Sequence, residues 1–305
     1  MPLYLVKNDI TKIKADVIVN SANPHALVGG GVDRAIHVAA GPGLLRAREE
    51  IGDIATGDAA ITSAFFLPAR YVVHTVGPVW RDGKHDEKTL LASCYEKSLR
   101  LAVERRCASI AFPLISAGIF RCPPAIAIET ATKTIRKFLQ AHDLDVYLVI
   151  FDQKSFTISD KRFAAVKKYL DERYVEASPE KGRKNAPAKP PGKTRESFSE
   201  ALLRLIEAKG KTDSEIYKCA NVDRKHFAKI RNNPQFQPSK AAALAFAVAL
   251  ELNLDETKDF IGRAGYALSH SSKADVIVEY FIENRKYDVF AVNETLFAFD
   301  QPLLG

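Results

Sequence analysis

The chain has 305 residues, 47% hydrophobic and 27% charged, the make-up of a globular protein with room for two domains. Its net charge of +7 is uneven: the basic excess lies before residue 197, and residues 197–305 sum to −1. No apolar run approaches the roughly 20 residues that span a bilayer, Met1-Pro2-Leu3-Tyr4 lacks a signal-peptide pattern, and Cys94, Cys107, Cys122 and Cys219 form no C-x-x-C pair, which argues for a cytoplasmic protein without disulfides or a cysteine zinc site.

In chain order, strands are expected at 3–6, 15–22, 58–65, 71–77, 109–115 and 145–152, where Val, Ile and aromatic residues run between Gly, Pro, Asn or Asp. The runs Ala15 to Val19, Ile110 to Ile115 and Val146 to Phe151 are nearly continuous in apolar residues, as in strands buried on both faces of a parallel or mixed sheet. A helix is expected from near Val32, and others at 87–106, 125–141 and 160–174, where apolar residues recur with a helical period. Alternating strands and helices give an α/β domain over 1–175, with helices on both faces of its sheet. From 176 to 195 large apolar side chains almost vanish among Pro, Lys, Gly and Ala, which reads as a flexible linker. Residues 196–305 read as all-helical, with helices at 196–208, 212–220, 224–232, 239–252, 255–267, 273–284 and 289–299, and with Ser239 and Asp255 placed as N-caps.

Two loops carry chemistry. Between the second strand and the first helix stand Gly29, Gly30 and Gly31, followed by Val32. Glycine permits positive φ and close backbone approach, and a helix N-terminus offers unpaired N–H groups with a partial positive charge. The two features together form a phosphate-binding concavity, although neither a Gly-Lys-Ser/Thr ending nor a G-x-G-x-x-G spacing is present. A ligand-free glycine turn is the alternative. After the strand at 109–115, the segment Ser116-Ala117-Gly118-Ile119-Phe120-Arg121 forms a second small loop before a helix. Both loops lie at strand C-termini, where open α/β sheets bind ligands, and together they would grip a diphosphate.

Asn20 to His37, with its Asn23, glycine run, Val32-Asp33 and Ala35-Ile36-His37, resembles the macro domain family. Asn8-Asp9-Ile10-Thr11, Gly57-Asp58-Ala59, His74-Thr75-Val76-Gly77-Pro78 and Ser116 to Phe120 match its other segments in family order over roughly residues 3–172. The resemblance implies a three-layer α/β/α domain with a mixed, mostly parallel sheet. It also implies ADP-ribose or an ADP-ribosylated protein as partner, and a metal-independent hydrolase of mono-ADP-ribosyl or O-acyl-ADP-ribose bonds. No cofactor and no metal are expected. By the same resemblance, Asp9 and Ile10 contact adenine, with Phe151 packing on it. Gly29, Gly30, Gly31, Val32, Ser116, Ala117, Gly118 and Ile119 hold the diphosphate, with Asn20 among the binding residues, and Phe120 covers the distal ribose. Asn23, Asp33 and His37 are the catalytic candidates, acting on a water at the distal ribose through an oxocarbenium-like transition state. The alternatives are that Asp9 is a turn cap, that Phe151 is core, and that His37 is a packed or solvated histidine. Val28, Asn8 and Arg121 stand where the family carries glycines, and Arg121 is a candidate substrate contact.

Thr212 to Arg231 reads as two short helices and a tight turn, and is similar to the repressor-type helix-turn-helix family. That likeness implies nucleic-acid contacts by Arg224, Lys225, Lys229 and Arg231, against a scaffold for protein contacts alone. The unit's net charge of −1 speaks against DNA. Three functions are therefore carried forward: a hydrolase, a non-catalytic ADP-ribose reader, and a regulator coupling ADP-ribose to DNA or a protein partner.

Overall fold

The computed structural model describes residues 2–151, 160–176 and 196–305, and the chain divides into two compact units, Leu3–Thr157 and Ile158–Gly305. The first unit is built on strands β1 (Leu3–Lys7), β2 (Val17–Ser21), β3 (Ala59–Ser63), β4 (Tyr71–Thr75), β5 (Ser109–Pro113) and β6 (Asp145–Ile150). Their order in the sheet is β1-β6-β5-β2-β4-β3. Every neighbouring pair is parallel except β3 with β4. All six expected strands are present. Asp152, the last residue of the sixth expected strand, lies outside the described residues.

Alternation along the strands assigns the layers. Ile18, Val72, Ala111 and Val149 join one core with Ile36 and Ala40 of α1 (Val32–Ala40) and Leu44 of α2 (Pro42–Ile51). Phe112 points the other way, and its ring meets Tyr95 of α3 (Glu87–Glu104) with centroids 5.1 Å apart. Helix α4 (Pro124–Ala141) packs beside α3. Helices on both faces make three layers, which explains why β2 carries Val17, Ile18 and Val19 without a polar break: all three are fully buried.

Helix α2 had no clear signal in the sequence. Its buried face consists of Leu44 and Arg48, and a buried arginine does not register in an apolar period.

The second unit holds α5 (Asp160–Arg173), α6 (Phe198–Ala208), α7 (Asp213–Cys219), α8 (Arg224–Asn232), α9 (Lys240–Ala249), α10 (Leu254–Arg263), α11 (Lys273–Glu283) and α12 (Val289–Ala298). The first of these corrects the expected boundary at 175. Val166 and Leu170 of α5 belong to the helical core. Arg173 hydrogen-bonds Glu279 and Glu283 of α11 at 2.8 and 3.0 Å, and Arg162 reaches Glu294 at 2.7 Å. The expected linker therefore falls between two helices of one unit, and apart from Glu176 it lies outside the described residues.

Helix α9 is buried from Ala242 to Ala249 and forms the centre of this unit. Ser239 caps it as expected, accepting from the Ala242 N–H. Asp255 is not the cap of α10. Asn253 is, in a capping box with Glu256, because its carboxamide reaches the third helical N–H while Glu256 returns to its own. Between α7 and α8, Asn221 takes a left-handed φ of 56° that closes the turn. Among the described residues, no helix is long and apolar enough to cross a membrane.

Candidate active site

A cavity of about 720 Å³ opens at the C-terminal ends of β1, β2, β5 and β6. Strands β2 and β5 are neighbours from which the chain departs in opposite directions along the sheet. The loops that follow them diverge there and leave a crevice between. The volume is in the range of small-molecule sites.

One wall is the glycine loop. Gly31 has φ +61° and stands at the N-cap of α1, with no side chain capping the helix. A Cβ at Gly29 would sit 3.1 Å from Asp33 Oδ2, and one at Gly30 would meet Ile119 Cδ1 at 2.9 Å. The opposite wall is the second loop. Ser116 has φ 62° and accepts the Cys122 N–H, while Arg121 donates its N–H to Gly118 and Trp80 donates to Phe120. Among the described residues, no protein acceptor takes the N–H groups of Gly30, Gly31, Gly118, Ile119 or Phe120. Those of Val32 and Asp33, in the first turn of α1, have no intrahelical acceptor. Five residues with unengaged loop N–H groups and a helix N-terminus thus line one cavity, an arrangement chemically suited to a diphosphate.

At the far end Asp9 both caps and lines. Its Oδ1 accepts from the Thr11 N–H and hydroxyl at 2.9 and 2.7 Å, starting a short 3-10 turn at Ile10–Lys12. Its second oxygen has no partner among the described residues. Phe151 is 81% exposed on the cavity wall rather than in the core, so its ring is open to stacking.

Beneath the glycine loop lies a buried polar chain. Asp33 is 3% exposed, and both its oxygens are engaged: Oδ1 with Asn20 Nδ2 and Oδ2 with the Gly29 N–H, each at 2.5 Å. Asn20 Nδ2 also approaches His74 Nδ1 at 3.3 Å, and His74 Nε2 lies 3.0 Å from the Thr62 hydroxyl. Since Asn20 Nδ2 can only donate, His74 Nδ1 is the acceptor and its Nε2 carries the proton. Burial pushes the His74 pKa down to about 3, helped by the positive fields of Arg48 and His37. His37 Nε2 stands 3.5 Å from Asp33 Oδ1. Burial lowers its pKa, the Asp33 carboxylate opposes this, and Arg48 adds to the lowering.

The residues expected to hold a ligand therefore fall into two groups. Asp9, Ile10, Asn23, Gly29 to Asp33, Ser116 to Phe120 and Phe151 line the cavity. Asn20 and His37 do not; they brace Asp33 from behind. Asn23 is half-buried, and its amide makes no hydrogen bond among the described residues, so it is free for a ligand or water. Arg121 is exposed, has a left-handed φ of 59°, and is not part of the cavity wall. In the helical unit Arg224, Lys225 and Lys229 are exposed on α8, whereas Arg231 pairs with Asp213. His74 carried no signal beyond its place in a family-like segment, and no role for Thr62 or Arg48 was legible, because their partners are distant in the chain.

Asp82, His85 and Glu87 bring three potential ligand atoms within 4.8 Å of one another. Glu87, however, already accepts backbone N–H groups from Arg81, Asp82, Gly83 and His85, which organise the loop before α3.

Over its first half the chain is similar to known proteins. A macro domain family model matches residues 19–131. An O-acetyl-ADP-ribose deacetylase of Escherichia coli (strain K12) is 50% identical over 159 residues, covering 50% of this chain and 90% of the relative. A macro domain-containing protein of Chlorobaculum tepidum is 52% identical over 149 residues, covering 49% of this chain and 86% of the relative. An Oceanobacillus iheyensis macrodomain with ADP, 41% identical, covers 54% of this chain and 90% of its own, with a TM-score of 0.49.

Proposed function

The chain belongs to the macro domain family, and from that premise we propose that its first unit binds ADP-ribose and hydrolyses an ester of the distal ribose. The observation that carries this reading is the coincidence of a backbone N–H cradle with an unengaged Asn23 amide on the wall of the same cavity. The diphosphate lies against Gly30 to Asp33 and Gly118 to Phe120. Asp9 takes the adenine amino group on its unpartnered oxygen, and Phe151 offers the base a face. Asn23 then orients a water at the distal ribose. Asp33 has its oxygens committed to Asn20 and Gly29, so its part is to hold the glycine loop in shape and to keep negative charge near the reacting end. His37, buried and with a lowered pKa, is a packing partner of Asp33 and not a proton carrier in the cavity. The E. coli and Shigella flexneri relatives bear the name O-acetyl-ADP-ribose deacetylase, which favours an acyl ester as substrate.

In the acyl route, water adds to the ester carbonyl, the C–O bond to the ribose breaks, and the ribose oxygen takes the proton as the carboxylic acid leaves. In the glycosidic route, the anomeric C–O bond breaks and water adds to the ribose. Hydrolysis in 18O-labelled water separates them. Label in the released acid supports the acyl route, released acid without label supports the glycosidic one, and absence of both products over hours leaves only the reader function.

For the helical unit, one observation favours nucleic acid as a second reading. Arg224, Lys225 and Lys229 project from α8 with no acidic residue inside that helix. A protein partner is the alternative, because residues 197–305, which carry α8, sum to −1. A gel shift with the full chain at low and raised salt decides: phosphate neutralisation by these three side chains predicts a shift that weakens steeply with salt.

A further inference from the structure

We propose that Arg48 is a positioning residue for the hydrolysis, fixing the backbone of Asn23 and Pro24 and thereby aiming the Asn23 amide into the cavity. This rests on the hydrolase reading above.

Arg48 is 2% exposed and forms no ion pair among the described residues. A guanidinium in that position is costly unless hydrogen bonds replace its water. It finds them on carbonyl oxygens of two segments. Nη1 donates to Gly52, the C-cap residue of its own helix. Nη2 donates to Asn23 at 3.2 Å and to Pro24 at 3.0 Å. Pro24 accepts a second bond from the Ile54 N–H at 2.9 Å. Elsewhere in the stretch from β2 to the glycines, the Ala22 N–H goes to Thr75, His25 Nδ1 lies 3.1 Å from the exposed Asp53 Oδ2, and the Leu27 N–H makes only a local bond to His25. Because the Asn23 side chain has no partner among the described residues, its direction is set by its backbone, and the carbonyl of that residue is held by Arg48.

The shape of the side chain matters. A planar guanidinium spans three carbonyls from two segments, whereas a lysine ammonium is a compact point charge on a thinner stem. A methionine fills similar space but leaves the Asn23 carbonyl without a partner. A shift of about 1 Å at a reacting group costs as much as 100-fold in rate. Loss of Arg48 is therefore expected to act on turnover, leaving the diphosphate cradle, which it does not touch, intact.

The test is steady-state hydrolysis of O-acetyl-ADP-ribose and ADP-ribose binding by the full chain, for wild type, Arg48→Met, Arg48→Lys, Asn23→Ala and the Arg48→Met/Asn23→Ala double variant. We expect Arg48→Met to lower kcat by about 10- to 100-fold with ADP-ribose affinity within about threefold of wild type, Arg48→Lys to fall between, and Arg48→Met to add nothing in the Asn23→Ala background. Should Arg48→Met fail to fold, Arg48→Lys with an intact melting transition decides by the same kcat-against-binding split. An unchanged kcat overturns the proposal, as does an equal loss with or without Asn23, or a parallel loss of ADP-ribose affinity. An inactive wild type overturns the hydrolase reading itself and the role of Arg48 with it.

Discussion

Asp33 Oδ2 accepts the Gly29 N–H at 2.5 Å, so the helix that follows the glycine loop reaches back to hold the loop's first glycine. The other oxygen takes the Asn20 amide, tying the loop to β2 as well. Asp33→Asn is close to isosteric, but it sets an NH₂ donor against one of two existing donors. An unmatched buried donor costs about 1–3 kcal/mol. The variant is therefore expected to lose that much stability in denaturant melts and to bind ADP-ribose at least about tenfold more weakly in calorimetric titrations. Wild-type affinity in Asp33→Asn would show that the loop does not depend on this carboxylate.

The buried histidines predict acid sensitivity. His74 titrates near 6.5 in the unfolded chain but only at about 3 when folded. The unfolded state therefore binds the proton first as pH falls. The contribution to stability is complete above about pH 6.5 and is lost progressively towards pH 3, by up to about 1.4 kcal/mol per pH unit for each such group. His37 acts in the same direction. Urea melts between pH 7.5 and 4.5 should show this slope, and His74→Gln should flatten it. An equal slope in that variant would place the sensitivity elsewhere.

Two loop glycines separate stability from binding. Gly31 has φ +61° at the start of α1, so Gly31→Ala is strained even without a ligand and should cost about 1–2 kcal/mol. At Gly118 a Cβ meets nothing within 4 Å. Gly118→Val should therefore leave the melting temperature near that of wild type, yet weaken ADP-ribose binding by crowding the cradle. Tight binding by Gly118→Val would remove the second loop from the ligand site.

Trp80 is the single tryptophan of the chain and a built-in probe beside that loop, since its backbone N–H donates to the Phe120 carbonyl at 2.8 Å. Its ring lies against Gly83, in a segment gathered around the Glu87 carboxylate. Burial acts to raise the Glu87 pKa, but the surrounding N–H groups outweigh it and bring it to about 2, so the group stays ionised through the physiological range. Glu87→Gln should loosen the segment and shift Trp80 emission to the red, and ADP-ribose should change the emission of the wild type. No response to saturating ADP-ribose would argue against contact at Phe120.

Much of this was legible in the sequence. The strands were, because two-sided burial leaves continuous apolar runs such as Ala15 to Val19. The two small loops that wall the cavity were visible as glycine clusters at strand ends, although glycine alone left a ligand-free turn open. What escaped notice depended on contacts across long separations. Arg48 is a helical arginine, normally solvated, whose carbonyl partners at Asn23 and Pro24 lie about 24 residues away. Asp33 resembles a free catalytic acid until its two donors are seen. Helix α5 has the same spacing wherever it packs, and contacts with distant helices, through Val166 and Leu170 in their core and ion pairs to Glu279, Glu283 and Glu294, assign it to the second unit.

In the proposed function, the cavity turns over an ADP-ribosyl ester through Asn23. The most direct measurement is a time course of ADP-ribose release from O-acetyl-ADP-ribose by wild type and by Asn23→Ala, at enzyme in excess over substrate. Release by the wild type with a loss of about 100-fold or more in Asn23→Ala, at similar ADP-ribose affinity, is the predicted result. Tight binding by the wild type without release over hours, or equal rates in the two proteins, would contradict it.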